Sequence, residues 1–257
     1  MKTSLAQEFP LYSQILQETL TIKIALPEGY DPASDQRYTS IYILDANYFF
    51  DDAPGLLDEY LVRGDGMTKI VRSLEIEGKI PQAILVGIGY TEEQRDRFTR
   101  DNAGKFYVFF KDELIPLIES SYLVSKSGQD RVLFGYSSSG HFSTYALFAD
   151  VSNSQMTFSK FISIAAVYYP ELAVYALEEK LYEEKCSCSF SGRSLYVAIG
   201  SDDSKTRLLN EHRNFTNKLV SRGYAEFNLI HEEFTGKGHY DIPEVAFKEG
   251  LIRLFSA

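Results

Sequence analysis

Gly135-Tyr136-Ser137-Ser138-Ser139-Gly140 sets a serine where a short apolar run, Arg131 to Gly135 (RVLFG), stops and a helical pattern, Gly140 to Ala149, begins. At such a strand-turn-helix junction the serine occupies a tight turn that lifts its hydroxyl above the strand, and the residues two before and two after it must be small to let the chain double back. Gly135 and Ser139 meet that condition, although glycine is the commoner fifth residue. The chemistry on offer is nucleophilic attack by Ser137 on a carbonyl carbon. The plainer alternative is a Ser/Gly-rich helix cap that binds an anion or nothing.

A serine hydroxyl is a weak nucleophile at neutral pH and needs a base, usually histidine. The chain has four histidines. His212 falls inside a helical pattern among charged neighbours, His231 inside the last strand pattern, and His141 in the helix after the serine turn, behind the hydroxyl. His239 is different: it follows the last strand in the loop Thr235-Gly236-Lys237-Gly238-His239-Tyr240, whose glycines let the backbone turn and present the ring. The base is therefore expected at His239. A carboxylate that holds the imidazole should follow a strand between serine and histidine, and Asp202 and Asp203 stand just past Ser194 to Gly200 (SLYVAIG). Either could instead cap the helix expected from Ser204. The oxyanion formed on attack needs two donors. One is the Ser138 N–H, and the other is sought in the loop Ala46-Asn47-Tyr48, at the Asn47 or Tyr48 amide.

These residues need a scaffold that brings strand ends together. Thr39 to Asp45, Gln82 to Tyr90, Arg131 to Gly135, Phe161 to Val167 and Ser194 to Gly200 are apolar at nearly every position, as strands buried on both faces of a parallel sheet must be. Helix-length segments lie between them: Thr68 to Glu77, Lys105 to Tyr122, Gly140 to Ala149, Glu171 to Lys185 and Ser204 to Arg222. The alternation predicts βαβ crossovers, a mostly parallel central sheet with helices on both faces, and a ligand site at the carboxyl ends of the strands. Thr19 to Leu26 alternates and reads as an antiparallel edge strand with one wet face; Glu226 to Phe234 reads as a last strand and Val245 to Phe255 as a closing helix. No repeat or linker divides the 257 residues, so a single domain, 1–257, is expected.

Composition narrows the partners. Against 36 Asp and Glu stand 26 Lys and Arg, a formal net charge of -10 that repels phosphate backbones and anionic lipid, so neither nucleic acid nor a membrane surface is an expected partner. No stretch approaches a membrane span, and the first residues lack the apolar run of a signal peptide, so a cytoplasmic protein is expected. Cys186 and Cys188, one residue apart, read as reduced thiols rather than a disulfide or redox pair. No His/Cys/Asp cluster has metal-ligand spacing, and no cofactor is expected.

The residues resemble the esterase D family of α/β-hydrolases, and within it the branch similar to enterochelin-type siderophore esterases. The likeness runs through Tyr12-Ser13 to Ile15-Leu16, ALPEGYDP (Ala25 to Pro32), IYILDANYFF (Ile41 to Phe50), ILVGIGY (Ile84 to Tyr90), FGYSSSGHFSTYALF (Phe134 to Phe148), LYVAIGSDD (Leu195 to Asp203) and GKGHYDIP (Gly236 to Pro243). It implies an α/β-hydrolase fold and an acid three places after the glycine that closes its strand, which is Asp203. It also implies that Leu44-Asp45-Ala46 is the oxyanion turn. Three features depart from the pattern: Ser139 in place of glycine, Arg95-Asp96-Arg97-Phe98-Thr99-Arg100 in place of a charged run that usually ends in proline, and Tyr168-Tyr169 where tryptophan is frequent.

Residues and resemblance together predict an esterase acting on a small soluble ester through Ser137, His239 and Asp203, with an acyl-enzyme intermediate. A thioesterase or acyltransferase on the same triad, such as an S-formylglutathione hydrolase, and a catalytically silent binding module are the alternatives. Tyr136, Tyr168 and Tyr169, together with Tyr48, Phe49 and Phe50, are candidate pocket walls, though aromatic core packing explains them as well. Arg97, with Arg95 and Arg100, is a candidate for binding a substrate carboxylate or phosphate, against the alternative of a solvated loop. The oligomeric state is not legible.

Overall fold

The computed structural model describes residues 7–50, 66–184, 190–203 and 206–256. Eight strands form one sheet in the order β1-β2-β4-β3-β5-β6-β7-β8. They are β1 (Gln7–Ser13), β2 (Glu18–Ala25), β3 (Thr39–Leu44), β4 (Ala83–Gly89), β5 (Arg131–Tyr136), β6 (Lys160–Ile164), β7 (Ser194–Gly200) and β8 (Asn228–Phe234). From β4 through β8 every neighbouring pair is parallel, whereas β1 with β2 and β2 with β4 are antiparallel. The carboxyl ends of β4, β3, β5, β6, β7 and β8 therefore lie side by side on one rim of the sheet.

Continuous apolar runs become central strands because alternate side chains must be covered on opposite faces. On one face Ile41, Ile43, Val132, Phe134, Ile162 and Ala198 pack against helices α2 (Gly66–Ile76) and α9 (Pro243–Ser256), through Met67, Val71, Phe247 and Leu251. On the other face Tyr42, Leu44, Leu133, Phe161 and Val197 meet four more helices: α4 (Ala103–Phe109), α6 (Ser138–Ser152), α7 (Ala173–Glu183) and α8 (Thr206–Arg222). Helix α6, which begins at the serine turn, is buried from Ser138 through Thr144 and again from Ala146 through Val151, so it is gripped on nearly all sides.

Six short elements complete the described chain: α1 (Ala46–Phe49), α3 (Glu92–Asp96) with a π turn over Arg97–Asp101, α5 (Ile115–Ser121), reached from α4 by a second π turn at Phe110–Leu114, and a 3-10 turn at Gly128–Asp130. The helix expected over Lys105 to Tyr122 is thus one path with a π turn in its middle. Strand β2 is not the edge: β1 pairs along its outer side and is itself largely exposed, whereas β2 is buried over Ile22 to Ala25 instead of keeping one wet face. Helix α8 is described from Thr206, and the expected first helical residue, Ser204, lies outside the described residues, as do Cys186 and Cys188. Among the described residues no helix is long and apolar enough to cross a membrane.

Candidate active site

Ser137 follows β5 at φ 56°, ψ -117°, a conformation that L residues rarely adopt. Three backbone hydrogen bonds hold it there: its N–H donates to Ile164 O at 2.9 Å, and its carbonyl accepts from His141 N at 3.2 Å and Val167 N at 3.1 Å. The turn needs Gly135, because a Cβ at that position would lie 2.0 Å from the Ser139 carbonyl oxygen. Ser138 opens α6, and the N–H groups of a helix's first turn have no carbonyl within the helix to meet.

His239 and Asp203 are brought together at the ends of β8 and β7. His239 Nδ1 lies 2.9 Å from Asp203 Oδ2, and both side chains are buried. Their two loops are joined along the backbone: Ser201 N–H donates to Phe234 O and Asp202 N–H to Lys237 O, each at 3.0 Å, and Gly236 N–H donates to Ser201 Oγ at 3.0 Å. Gly200 makes that approach feasible, since a Cβ there would lie 2.0 Å from the Lys237 carbonyl oxygen. Asp202 points elsewhere; it is exposed, and its Oδ1 accepts from Ser201 Oγ at 2.6 Å.

The His239 loop is fastened to the serine turn by Tyr136. Its phenol donates to His239 O at 2.8 Å, and the two rings lie 5.0 Å apart. Burial raises the Tyr136 phenol well above the ordinary tyrosine range, so it remains a donor. A serine in a strained turn follows Tyr136 directly, and Tyr136 is bonded to the loop whose imidazole faces a buried carboxylate; these are residue types that acyl transfer by a nucleophilic serine uses.

The other histidines are differently engaged. His141 Nδ1 lies 2.8 Å from Thr99 O, so it must carry the proton, and Nε2 accepts from Val174 N–H at 3.3 Å. Burial lowers its pKa to about 4. His212 is fully buried, with no hydrogen-bond partner among the described residues on either nitrogen, and burial lowers it to about 3. His231 is exposed on β8.

Beyond β3, Asp45 takes a left-handed conformation (φ 57°, ψ 40°) and leads into α1. Tyr48 N–H donates to Asp45 O at 2.9 Å, so that amide is already spent on the turn, and of the two expected amides only Asn47 keeps its candidacy. The Asn47 side chain is anchored by Nδ2 donating to Tyr90 O at 2.7 Å.

Three expected substrate contacts fall differently. Tyr168 is a core residue: it has no exposed surface, its hydroxyl lies 2.6 Å from Thr144 Oγ1 and 2.7 Å from Ser163 Oγ, and its ring stacks on Phe215. Arg97 pairs with Glu18 on β2 rather than standing free for a ligand, while Arg95 pairs with Asp45 and Arg100 with Asp96. Tyr136 serves first as the strut to His239. Tyr169 stays partly exposed, with the Arg207 guanidinium 4.0 Å from its ring centre. Among the described residues no group of three or more His, Cys, Asp or Glu is arranged to hold a metal ion.

The family profile described as "Putative esterase" matches residues 13–221. The chain belongs to this esterase family. The esterase fold is shared with solved structures at low identity. The BES protein from Bacillus cereus superposes with a TM-score of 0.77 at 20% identity over 99% of this chain and 96% of that one. An IroE-like serine hydrolase from Shewanella oneidensis gives 0.78 at 24% identity over 98% and 80%. The enterobactin esterase FES from Shigella flexneri gives 0.72 at 18% identity over 98% of this chain and 59% of that one. No curated protein matches the chain. These likenesses establish the α/β-hydrolase fold of this esterase.

Two outcomes follow from the geometry. Tyr136→Phe removes the phenol that donates to His239 O, at a stability cost of about 1–3 kcal/mol for the loss of a buried hydrogen bond. Ester turnover should fall by about tenfold while the protein stays folded; unchanged turnover would show that His239 is held without it. The second concerns pH. His141 and His212 have folded pKa values below the unfolded value of about 6.5, so the unfolded chain binds more protons between these limits and stability is lost as pH falls below about 6.5. At about 1.4 kcal/mol per unit, His141 alone contributes on the order of 3 kcal/mol between neutrality and its folded pKa of about 4. Melting temperature should drop from pH 7 toward pH 4, and His212→Leu should flatten part of that drop; equal melting at both pH values in the wild type would contradict the assignment.

Proposed function

We propose that the protein is a serine carboxylic ester hydrolase in which Ser137 attacks the ester carbonyl and His239 takes its proton. Asp203 orients the imidazole and stabilises its charged form, and the amides of Ser138 and Asn47 hold the oxyanion. The observation that carries this reading is the buried His239–Asp203 hydrogen bond at 2.9 Å, on a loop fastened by Tyr136, the residue directly before a serine in a strained turn. His239 then returns the proton to the departing alcohol, and water repeats the cycle on the acyl-enzyme to release the acid. Oxygen, carbon and proton balance without a cofactor. The enterobactin esterase among the structural neighbours supports including a hydrolysable catecholate siderophore ester in the substrate panel, next to simple aryl esters and a thioester.

Ser137→Ala should abolish ester turnover and labelling by a fluorophosphonate probe while folding normally; turnover by a folded Ser137→Ala protein would end the proposal. His239→Ala should behave likewise, and His231→Ala should not, which a comparison of initial rates decides. For the carboxylates, a neutral amide favours the wrong imidazole tautomer and cannot stabilise the imidazolium. The same change in a serine protease lowers turnover about 10⁴-fold. Asp203→Asn should fall in the range of about 10²–10⁴, while Asp202→Asn, whose side chain is exposed, should stay within about twofold. A slow Asp202→Asn beside an active Asp203→Asn would reverse the assignment.

A further inference from the structure

Asp45, Arg95 and Ser139 leave the carboxyl ends of three adjacent strands, β3, β4 and β5, and meet behind the serine turn. The Asp45 side chain is fully shielded from solvent. Its Oδ1 accepts from Arg95 Nε at 2.8 Å, and its Oδ2 accepts from Arg95 Nη2 at 3.4 Å and from Ser139 Oγ. Ser139 Oγ in turn accepts from Tyr136 N–H at 2.8 Å, and Arg95 Nη2 donates to Tyr136 O at 3.0 Å. Both backbone polar groups of the residue before Ser137 are thus held by this cluster. Asp45 also donates its N–H to Tyr90 Oη at 3.3 Å and stands two residues before Asn47.

Glycine at position 139, the commoner elbow residue, could make none of the hydroxyl bonds. Smallness alone does not account for a serine here, because its hydroxyl carries a proton to a buried carboxylate, and such charge-assisted bonds are roughly twice as strong as neutral ones. The two proposed oxyanion amides sit on separate loops, and they work together only if both lie within about 2.7–3.1 Å of the place the oxygen will occupy. The bonds described join those loops: Tyr136 and Ser139 bracket Ser137 and Ser138, and Asp45 begins the turn that carries Asn47.

We infer that Ser139 is a positioning residue whose hydroxyl, bridging the Asp45 carboxylate and the Tyr136 amide, sets the spacing between the Ser138 and Asn47 oxyanion amides. This rests on the serine-esterase reading above. Arg95 neutralises the buried carboxylate that the bridge requires.

The test compares wild type with Ser139→Ala, Ser139→Gly, Asp45→Asn and the Ser139→Ala/Asp45→Asn pair, using a p-nitrophenyl ester, a trifluoromethyl ketone of matching acyl group, and a fluorophosphonate label. The ketone forms a tetrahedral adduct whose oxyanion needs the same two donors. The expected result is a loss of about 10–100-fold in kcat for both Ser139 variants with KM within about twofold. Ketone affinity should fall by the same factor as kcat, and the double variant should be no slower than Asp45→Asn. Ser139→Gly leaves the Asp45–Arg95 pair in place, so it reports on the bridge even if Asp45→Asn fails to fold. Wild-type kcat and ketone affinity in folded Ser139→Ala and Ser139→Gly would overturn the inference, as would a loss confined to melting temperature. A wild type that the fluorophosphonate does not label at Ser137 would instead remove the esterase reading itself.

Discussion

A serine held at positive φ costs on the order of 1–3 kcal/mol, and the surroundings of Ser137 are arranged to overcome that cost. Its N–H and carbonyl are both bonded, to Ile164 on the neighbouring strand, to His141 one turn up the helix and to Val167 in the loop after β6. Strand β5 lies in the middle of the sheet, and α6 is buried along almost its whole length. Neither element can relax the turn between them without opening the core. That rigidity allows the loops on either side to use the turn as a fixed reference.

The polar groups around the turn fall into two sets, each tied to a residue beside the serine. On the β7–β8 side, Tyr136 reaches the His239 backbone and Asp203 reaches the His239 ring. On the β3–β4 side, Ser139 reaches Asp45, and Arg95 reaches both Asp45 and Tyr136. The buried charge of Asp45 is acceptable only because it is paired and hydrogen-bonded; one partner removed would leave an uncompensated ion in the core. Chemistry proposed for Ser137 therefore depends on side chains beyond the serine, histidine and carboxylate that would carry it out.

The central strands were legible because burial on both faces leaves an unbroken apolar run, as in Ile41 to Leu44 and Leu195 to Ile199. Strand β1 was not, since Gln7–Ser13 alternates weakly, carries Pro10, and is placed by pairing with β2 and by bonds to residues far along the chain, Ser13 Oγ to Glu113 and Tyr122 Oη to Gln7 Oε1. The serine, the histidine and the acidic pair could be placed from local rules of turn and strand end. What their neighbours do could not: Tyr168 and Tyr136 are both tyrosines at strand ends, yet one hydroxyl meets Thr144 and Ser163 in the core and the other meets the His239 carbonyl. Likewise Arg95, Arg97 and Arg100 look alike as a charged run, and only the helical and π turns that carry them assign Asp45, Glu18 and Asp96 as separate partners. Partner choice is a property of three dimensions, and short-range spacing does not encode it.

Strand β8 has one neighbour among the described strands, and its side chains are nowhere fully buried. The loop bearing His239 hangs from its end. A sheet margin opens at lower free energy than the interior strands, in units smaller than the whole fold. Peeling of this margin would withdraw the imidazole while β5 and the serine turn stay intact, leaving a folded molecule with its hydroxyl in position and nothing to activate it. Heat inactivation of such a protein would precede its melting, and cooling would restore the active form by re-zipping a single strand.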